Sequence, residues 1–288
     1  MKYSRLTAGT MTWGKWGKQL DKKAFIKLLN HCVDTNITTF DHADIYGDYT
    51  TESDFGNAFA ESTIDRNHIQ LISKCGIEYF GNSRPNLKVK HYNYSKKYII
   101  WSAEQSLKKL KTDYLDLLLL HRPSPLLQVE EVVEAISTLK QQGKIKDFGV
   151  SNFTPSQTDL LSKYVEVSVN QIEFSLTQHT AMHNGSLDYM QLHNIQPMSW
   201  SPLGTIFKED TEQNRRIHEQ LGALLQKYNA TEDQLLLAWI MKHPSGIIPV
   251  VGTTNPKRLT DAHAATTIDL ELEDWFLILV ACQGHKVP

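Results

Sequence analysis

Apolar and polar positions alternate along this chain in two rhythms. Short runs dense in Val, Ile, Leu and Phe fall at residues 6–11, 37–40, 69–73, 115–120, 145–150, 167–170, 196–200 and 247–251. Between them apolar residues recur every three or four positions, the period of a helix that buries one face. Phe25, Leu28, Leu29, Cys32 and Val33 make one stripe, and Ile100, Ala103, Leu107 and Leu110 a second. Val129, Val132, Val133, Ile136 and Leu139 make a third. Thr154-Pro155-Ser156-Gln157 and Thr231-Glu232-Asp233-Gln234 predict helix starts, with a threonine at the N-cap and a glutamine at N3. Pro155 falls at N1, where its missing N–H has no partner to lose. Strand and helix in unbroken alternation imply parallel strands joined by crossovers. Eight strands predict an α/β fold, a (β/α)8 TIM barrel forming a single domain over residues 1–288. The count alone also accommodates an open doubly wound sheet. Residues 75–95, 172–186 and 201–213 break the rhythm and read as loops. The first and last directly follow strands, and in a barrel such loops build the active face.

Composition narrows the class. At 288 residues with 41% hydrophobic content the chain can bury a large core, and single barrels reach about 250 residues or more. Thirty Lys and Arg against 32 Asp and Glu, interspersed, give a net charge of -2, so no basic block predicts nucleic-acid binding. The longest apolar runs, 235–241 and 275–282, fall far short of the roughly 20 residues that span a bilayer, and the N-terminal residues lack a signal-peptide core. Three cysteines with no CxxC pair suggest neither a disulfide framework nor a thiolate metal site. The expectation is a cytoplasmic, monomeric enzyme without membrane or nucleic-acid partners.

Candidate chemistry collects at the strand ends. "FDHADIYG" puts Asp41 and Tyr46 after the second strand, Lys74 ends the third and His121 the fourth. Neighbouring strands lie about 4.8 Å apart, so these groups can converge. A phenol with an ordinary pKa of about 10 is a poor acid near neutrality. A nearby ammonium favours its phenolate, a carboxylate holds the ammonium charged, and a histidine can donate a hydrogen bond to a carbonyl oxygen. Each residue alone has a bland reading as a solvated or loop-capping group. Together they make a general acid aimed at a carbonyl.

Reduction also needs a hydride source, and no GxGxxG follows any strand. The remaining strand ends offer a different cradle. Ser151, Asn152 and Gln171 can hold an amide, and the Trp200 indole, followed by Ser201, can stack on a flat heteroaromatic ring. Asn255-Pro256 reads as an N-cap and N1 pair, which places Lys257 and Arg258 in a helical first turn. Cations there face the positive end of the helix macrodipole, a placement that a bound phosphate would reverse in sign. The alternative is that both side chains extend into water.

In order, "FDHADIYG", "LISKCG", "LLLLHRP", "KIKDFGVSNF", "VNQIEFS", "SWSPLG" and "IIPVVGTTNPKRL" resemble the aldo-keto reductase superfamily over essentially the whole chain, and within it the bacterial YdhF-type oxidoreductases. The resemblance implies a (β/α)8 barrel binding NADP(H), in preference to NAD(H), across its C-terminal face. It implies a catalytic tetrad of Asp41, Tyr46, Lys74 and His121, with Tyr46 donating the proton to an aldehyde or ketone. It further implies that Ser151, Asn152 and Gln171 hold the nicotinamide carboxamide and that Trp200 stacks on its ring. Ser201, Leu203 and Gly204 would run beside the pyrophosphate. Thr253, Thr254, Asn255 and Arg258 would bracket the adenosine 2′-phosphate, with Lys257 a possible second cation and Asp261 at the adenine. Gly252 stands where many members carry a lysine, and Ala262 where an asparagine is frequent.

Two other readings compete. One is a cofactor-binding redox-sensing or regulatory protein with little turnover. The other is a barrel hydrolase using Asp41, Asp44 and Glu52, or a metal site built from His42, His91 and His121. The histidines lack a ligand spacing such as HxH or HExxH, and no metal is expected. Trp13 and Trp16, after the first strand, read equally well as substrate wall or as barrel plug. Tyr79, Phe80 and Phe207 suggest an apolar substrate wall.

Overall fold

The computed structural model describes residues 3–288. Its eight central strands are β1 (Thr7–Gly9), β2 (Thr39–Asp41), β3 (Gln70–Cys75), β4 (Leu115–Leu120), β5 (Ile145–Ser151), β6 (Val169–Glu173), β7 (Gln196–Trp200) and β8 (Ile248–Val251). Each pairs in parallel with its sequence neighbours, and β8 pairs with β1, so the sheet closes into a barrel. Closure removes both sheet edges and settles the barrel against the open sheet.

Two strands coincide with the expected runs, and the others differ by one to three residues at their ends. Pairing explains the shifts. Val169 pairs with Gly149 and Gln171 with Ser151, so β6 begins two residues later than its apolar run and contains Gln171 rather than preceding it. The irregular segment 75–95 carries a small antiparallel hairpin, Ile77–Glu78 against His91–Tyr92. Strands of two residues are too short to show a period.

Tyr3, Ile72, Leu117, Leu119, Val169, Met198, Ile248 and Val250 fill the barrel interior. The three predicted stripes cover the outside of the sheet. Phe25, Leu28, Leu29 and Cys32 are buried on helix Lys22–Asp34, as are Val132, Ile136 and Leu139 on helix Val129–Gln141. Each fully buried leucine contributes roughly 1.5–3 kcal/mol. Both predicted capping boxes are present, at Thr154–Gln157 and Thr231–Gln234. At the N-terminal end of the strands Asp116 takes hydrogen bonds from Arg66 (2.7 Å), Lys146 (3.1 Å) and the Leu71 amide (2.9 Å). Among the described residues no helix is long and apolar enough to cross a membrane.

Candidate active site

The backbone ladder runs one step beyond the strands on the C-terminal side. His42 N–H donates to Ile72 O, Asp44 N–H to Lys74 O, His121 N–H to Cys75 O and Asn152 N–H to Gln171 O, at 2.9–3.0 Å. These bonds bring the ends of β2, β3 and β4 to one level, and with them the four candidate residues.

Lys74 is 1% exposed and Asp41 2%. The Lys74 ammonium donates to both Asp41 carboxylate oxygens at 2.7 Å, to the His42 carbonyl at 2.8 Å and to the Tyr46 hydroxyl at 3.1 Å. Three protons serve four acceptors, so the carboxylate shares one between its oxygens. Gln171 Nε2 donates a further bond to Asp41 Oδ1 at 3.0 Å. Burial pulls the Lys74 pKa down, but Asp41 and Tyr46 outweigh it and hold it above 10.5, so the ammonium stays charged. Burial pushes the Tyr46 hydroxyl above 10; Lys74 acts in the lowering direction expected of it but does not overcome the burial. Tyr46 is therefore a protonated phenol near neutrality, with one oxygen lone pair already on a cation. His121 stands edge-on to the Tyr46 ring, with centroids 6.1 Å apart. Burial, then Lys74, Arg122 and Lys90, hold its pKa well below 6.5, so its imidazole is neutral and carries one N–H.

A strained turn holds the phenol in place. Gly47, Asp48 and Tyr49 have φ of 61°, 59° and 68°, three consecutive left-handed residues, two of which have a Cβ. That conformation costs roughly 1–2 kcal/mol per non-glycine residue and persists only where surroundings impose it. Here Asp48 Oδ2 accepts from Lys15 (3.0 Å), Ser83 Oγ donates to Asp48 O (2.7 Å), and Tyr79 N–H donates to the Tyr49 hydroxyl (2.8 Å). Loops from two other strand ends thus clamp the turn that follows Tyr46.

A cavity of about 1140 Å³ opens over these residues. It exceeds the roughly 300–1,000 Å³ of a drug-sized ligand site, leaving room for a large and a small molecule together. Asp41, Tyr46 and His121 line one part, and Lys74 lies just beneath, against the phenol. Ser151, Gln171, Trp200, Ser201, Leu203, Gly204, Gly252, Thr253, Asn255, Lys257, Arg258 and Asp261 line the rest. Asn152 and Thr254 do not line it. Asn152 instead accepts a hydrogen bond from Trp200 Nε1 (3.0 Å) and donates to Ser151 Oγ (2.8 Å), fixing the indole and hydroxyl from behind. Ser151 Oγ donates to the Gln171 carbonyl at 2.8 Å.

Gly204 has φ of 54°, and a Cβ there would lie 2.0 Å from Thr177 Oγ1, so only glycine permits this turn. Asn255 caps helix Pro256–Ala264 by accepting from the Arg258 amide. Lys257 is held by Asp261 at 2.7 Å, one helical turn on, while the exposed Arg258 guanidinium is in no ion pair among the described residues. Of the two cations, Arg258 is the one left for an anion. At Gly252 nothing lies within 4 Å of an added Cβ, so the missing lysine leaves open space.

The two tryptophans after β1 part company. Trp13 is fully buried against Phe25 and Phe40, whereas Trp16 lines the cavity, 6.3 Å from the Tyr46 ring and 5.4 Å from that of Tyr79. Phe207 also lines it; Phe80 does not and is exposed. Ile45, Ile77, Lys90 and Arg122 line it without having been singled out from sequence. For Arg122 a signal existed, since it directly follows His121.

The hydrolase and metal readings lose their geometry. Asp44 and Glu52 are buried beneath the site, accepting from Ser102 (2.8 Å) and Ser73 (2.6 Å), and neither lines the cavity. His42 bonds Thr10 in the core, and His91 bonds the Val89 carbonyl at the surface. Among the described residues no group of three or more His, Cys, Asp or Glu is placed to hold a metal.

Comparison with known proteins finds relatives over nearly the whole chain. Residues 5–278 match the aldo/keto reductase family model. The chain is 41% identical to the oxidoreductase YcsN of Bacillus subtilis over 100% of this chain and 97% of that one. It is 37% identical to the oxidoreductase YdhF of Escherichia coli over 100% and 96%. A solved aldo/keto reductase from Klebsiella pneumoniae, in complex with NADP and acetate, superposes with a TM-score of 0.81 at 25% identity, covering 96% of this chain and 90% of that one. A barrel closed in sequence order, a buried Lys–Asp pair against a phenol, and matches spanning the chain lead to one assignment: this protein belongs to the aldo/keto reductase family.

Proposed function

We propose that the protein reduces an aldehyde or ketone to an alcohol with NADPH, Tyr46 serving as the general acid. The observation that carries this reading is the 3.1 Å bond between the Lys74 ammonium and the Tyr46 hydroxyl at the floor of a cavity large enough for two ligands. NADPH, when bound, supplies a hydride from nicotinamide C4 to the carbonyl carbon. The residues present suit that cofactor. Gln171 spends its amide N–H on Asp41, leaving its carbonyl oxygen for a carboxamide, and the Trp200 ring faces the cavity, its N–H held by Asn152. Arg258, unpaired beside a helix N-terminus, suits the 2′-phosphate that distinguishes NADP from NAD. The relative solved with NADP supports the same cofactor.

In the proposed step His121 and Tyr46 orient the substrate oxygen. The neutral imidazole N–H and the phenol O–H both donate to it, and Tyr46 passes its proton as negative charge develops there. Lys74 stabilises the phenolate left behind, and Asp41 keeps Lys74 charged and fixed. The phenol's raised pKa suits donation, because at neutral pH the proton is present to be given.

Steady-state NADPH oxidation with a panel of small aldehydes tests the reading. Tyr46→Phe should retain cofactor binding while turnover falls by about 10²–10⁴. Full activity in that variant removes the role of Tyr46. Absence of turnover with every aldehyde, with NADPH still bound, favours the regulatory alternative.

A further inference from the structure

The cavity divides along the barrel. The residues assigned above to cofactor all follow β5–β8, where Phe207 and Lys208 also line the cavity, and the lining after β1–β4 is left for substrate. That half has an apolar wall of Trp16, Ile45 and Ile77 and two cations, Lys90 and Arg122. Its one carboxylate, Asp41, already has both oxygens on Lys74. Neither Lys90 nor Arg122 is in an ion pair or a side-chain hydrogen bond among the described residues. The half-buried Arg122 guanidinium instead lies over the Trp200 ring, 5.1 Å from its centroid. Of the other cations around the site, Lys15 is matched with Asp48, Lys74 with Asp41 and Arg84 with Glu78, while Lys208 and Arg258 line the cofactor half and are in no ion pair among the described residues.

A partly desolvated cation without a counter-ion is unfavourable, and guanidinium in particular matches the planar geometry of an oxyanion. We propose that the carbonyl substrate carries an oxyanion, a carboxylate or a phosphate ester, within a few atoms of its reducible carbonyl, and that Arg122 and Lys90 hold it. This rests on the carbonyl-reductase reading and adds the substrate's class to it. Arg122 is joined to His121 in the chain, so whatever it binds is delivered beside the carbonyl-orienting imidazole. The electrostatics agree. Both cations act on His121 and Arg122 acts on Tyr46, placing their charge within reach of the reacting centre. Trp16, Ile45 and Ile77 then face the carbon skeleton between the two polar ends.

Matched substrate pairs test this on the full chain with NADPH: succinic semialdehyde against butanal, and glyceraldehyde phosphate against glyceraldehyde. In the wild-type protein kcat/KM should favour the anionic member of at least one pair by about tenfold or more, in keeping with a charge-assisted hydrogen bond. The pair that shows it distinguishes carboxylate from phosphate. The anionic-to-neutral ratio should collapse in Arg122→Ala, recover in part in Arg122→Lys, and fall in Lys90→Ala. A wild-type ratio at or below one for both pairs overturns the proposal, as does a ratio unmoved by both alanine substitutions. No turnover of any of the four compounds would instead count against the reductase reading. Calorimetric titration of succinate and of inorganic phosphate into the NADPH-loaded protein then decides the anion site: binding lost in Arg122→Ala supports it, and no binding of either overturns it.

Discussion

Replacing Lys74 by methionine removes a charge from the most buried ion pair in the site while keeping most of the side-chain volume. Asp41, 2% exposed, would keep only the Gln171 amide as a side-chain partner. Breaking a buried pair by removing one member costs about 3–5 kcal/mol, because the other charge stays buried without compensation. Asp41→Asn should cost a similar amount, since it strands the ammonium. The double variant Asp41→Asn/Lys74→Met strands neither charge. Its loss should fall short of the sum of the single losses by about 2–3 kcal/mol or more, a coupling typical of residues in direct contact. Activity should behave differently. Among the described residues the Tyr46 hydroxyl has Lys74 as its one side-chain hydrogen-bond partner, so turnover should drop by about a hundredfold or more in Lys74→Met and stay low in the double variant. Urea unfolding of the four proteins gives the stabilities, and NADPH oxidation with one aldehyde gives the rates. Strictly additive stability losses, or near-wild-type turnover in the double variant, would refute the reasoning.

Two further outcomes follow from buried and exposed charge. Asp44 is pushed from 3.8 up to about 7, first by burial and then by Glu52. An acid with a raised folded pKa favours folding fully below its unfolded pKa and loses that contribution as pH rises towards 7, here on the order of 4 kcal/mol at most. Asp44→Asn should therefore gain stability relative to wild type between about pH 4 and 7, and parallel pH profiles of the two proteins would contradict this. Arg258→Ala should weaken NADPH binding by about tenfold or more and NADH binding far less, as expected for one charge-assisted bond to a 2′-phosphate. Equal losses for both cofactors, read by fluorescence titration, would remove Arg258 from that role.

The sequence by itself determined the layout of this protein. Eight apolar runs separated by helical stripes are a local property, because period and caps depend on residues a few positions apart. They predicted the barrel, both capping boxes and the strand ends where Asp41, Tyr46, Lys74 and His121 appear. Tertiary structure decided what those residues meet. Closure and register bring Gln171 onto Asp41 across 130 positions of sequence, and they separate Trp13, sunk into the core, from Trp16 at the cavity. Burial, which no single residue encodes, sets the sign of the Tyr46 and His121 shifts and places the Asp44 and Glu52 carboxylates beneath the site. Arg122 and Lys90 line one cavity for the same reason: the charges that share it, and the counter-ions they lack, are fixed by contacts between distant segments, whereas periodicity reports only on neighbours along the chain.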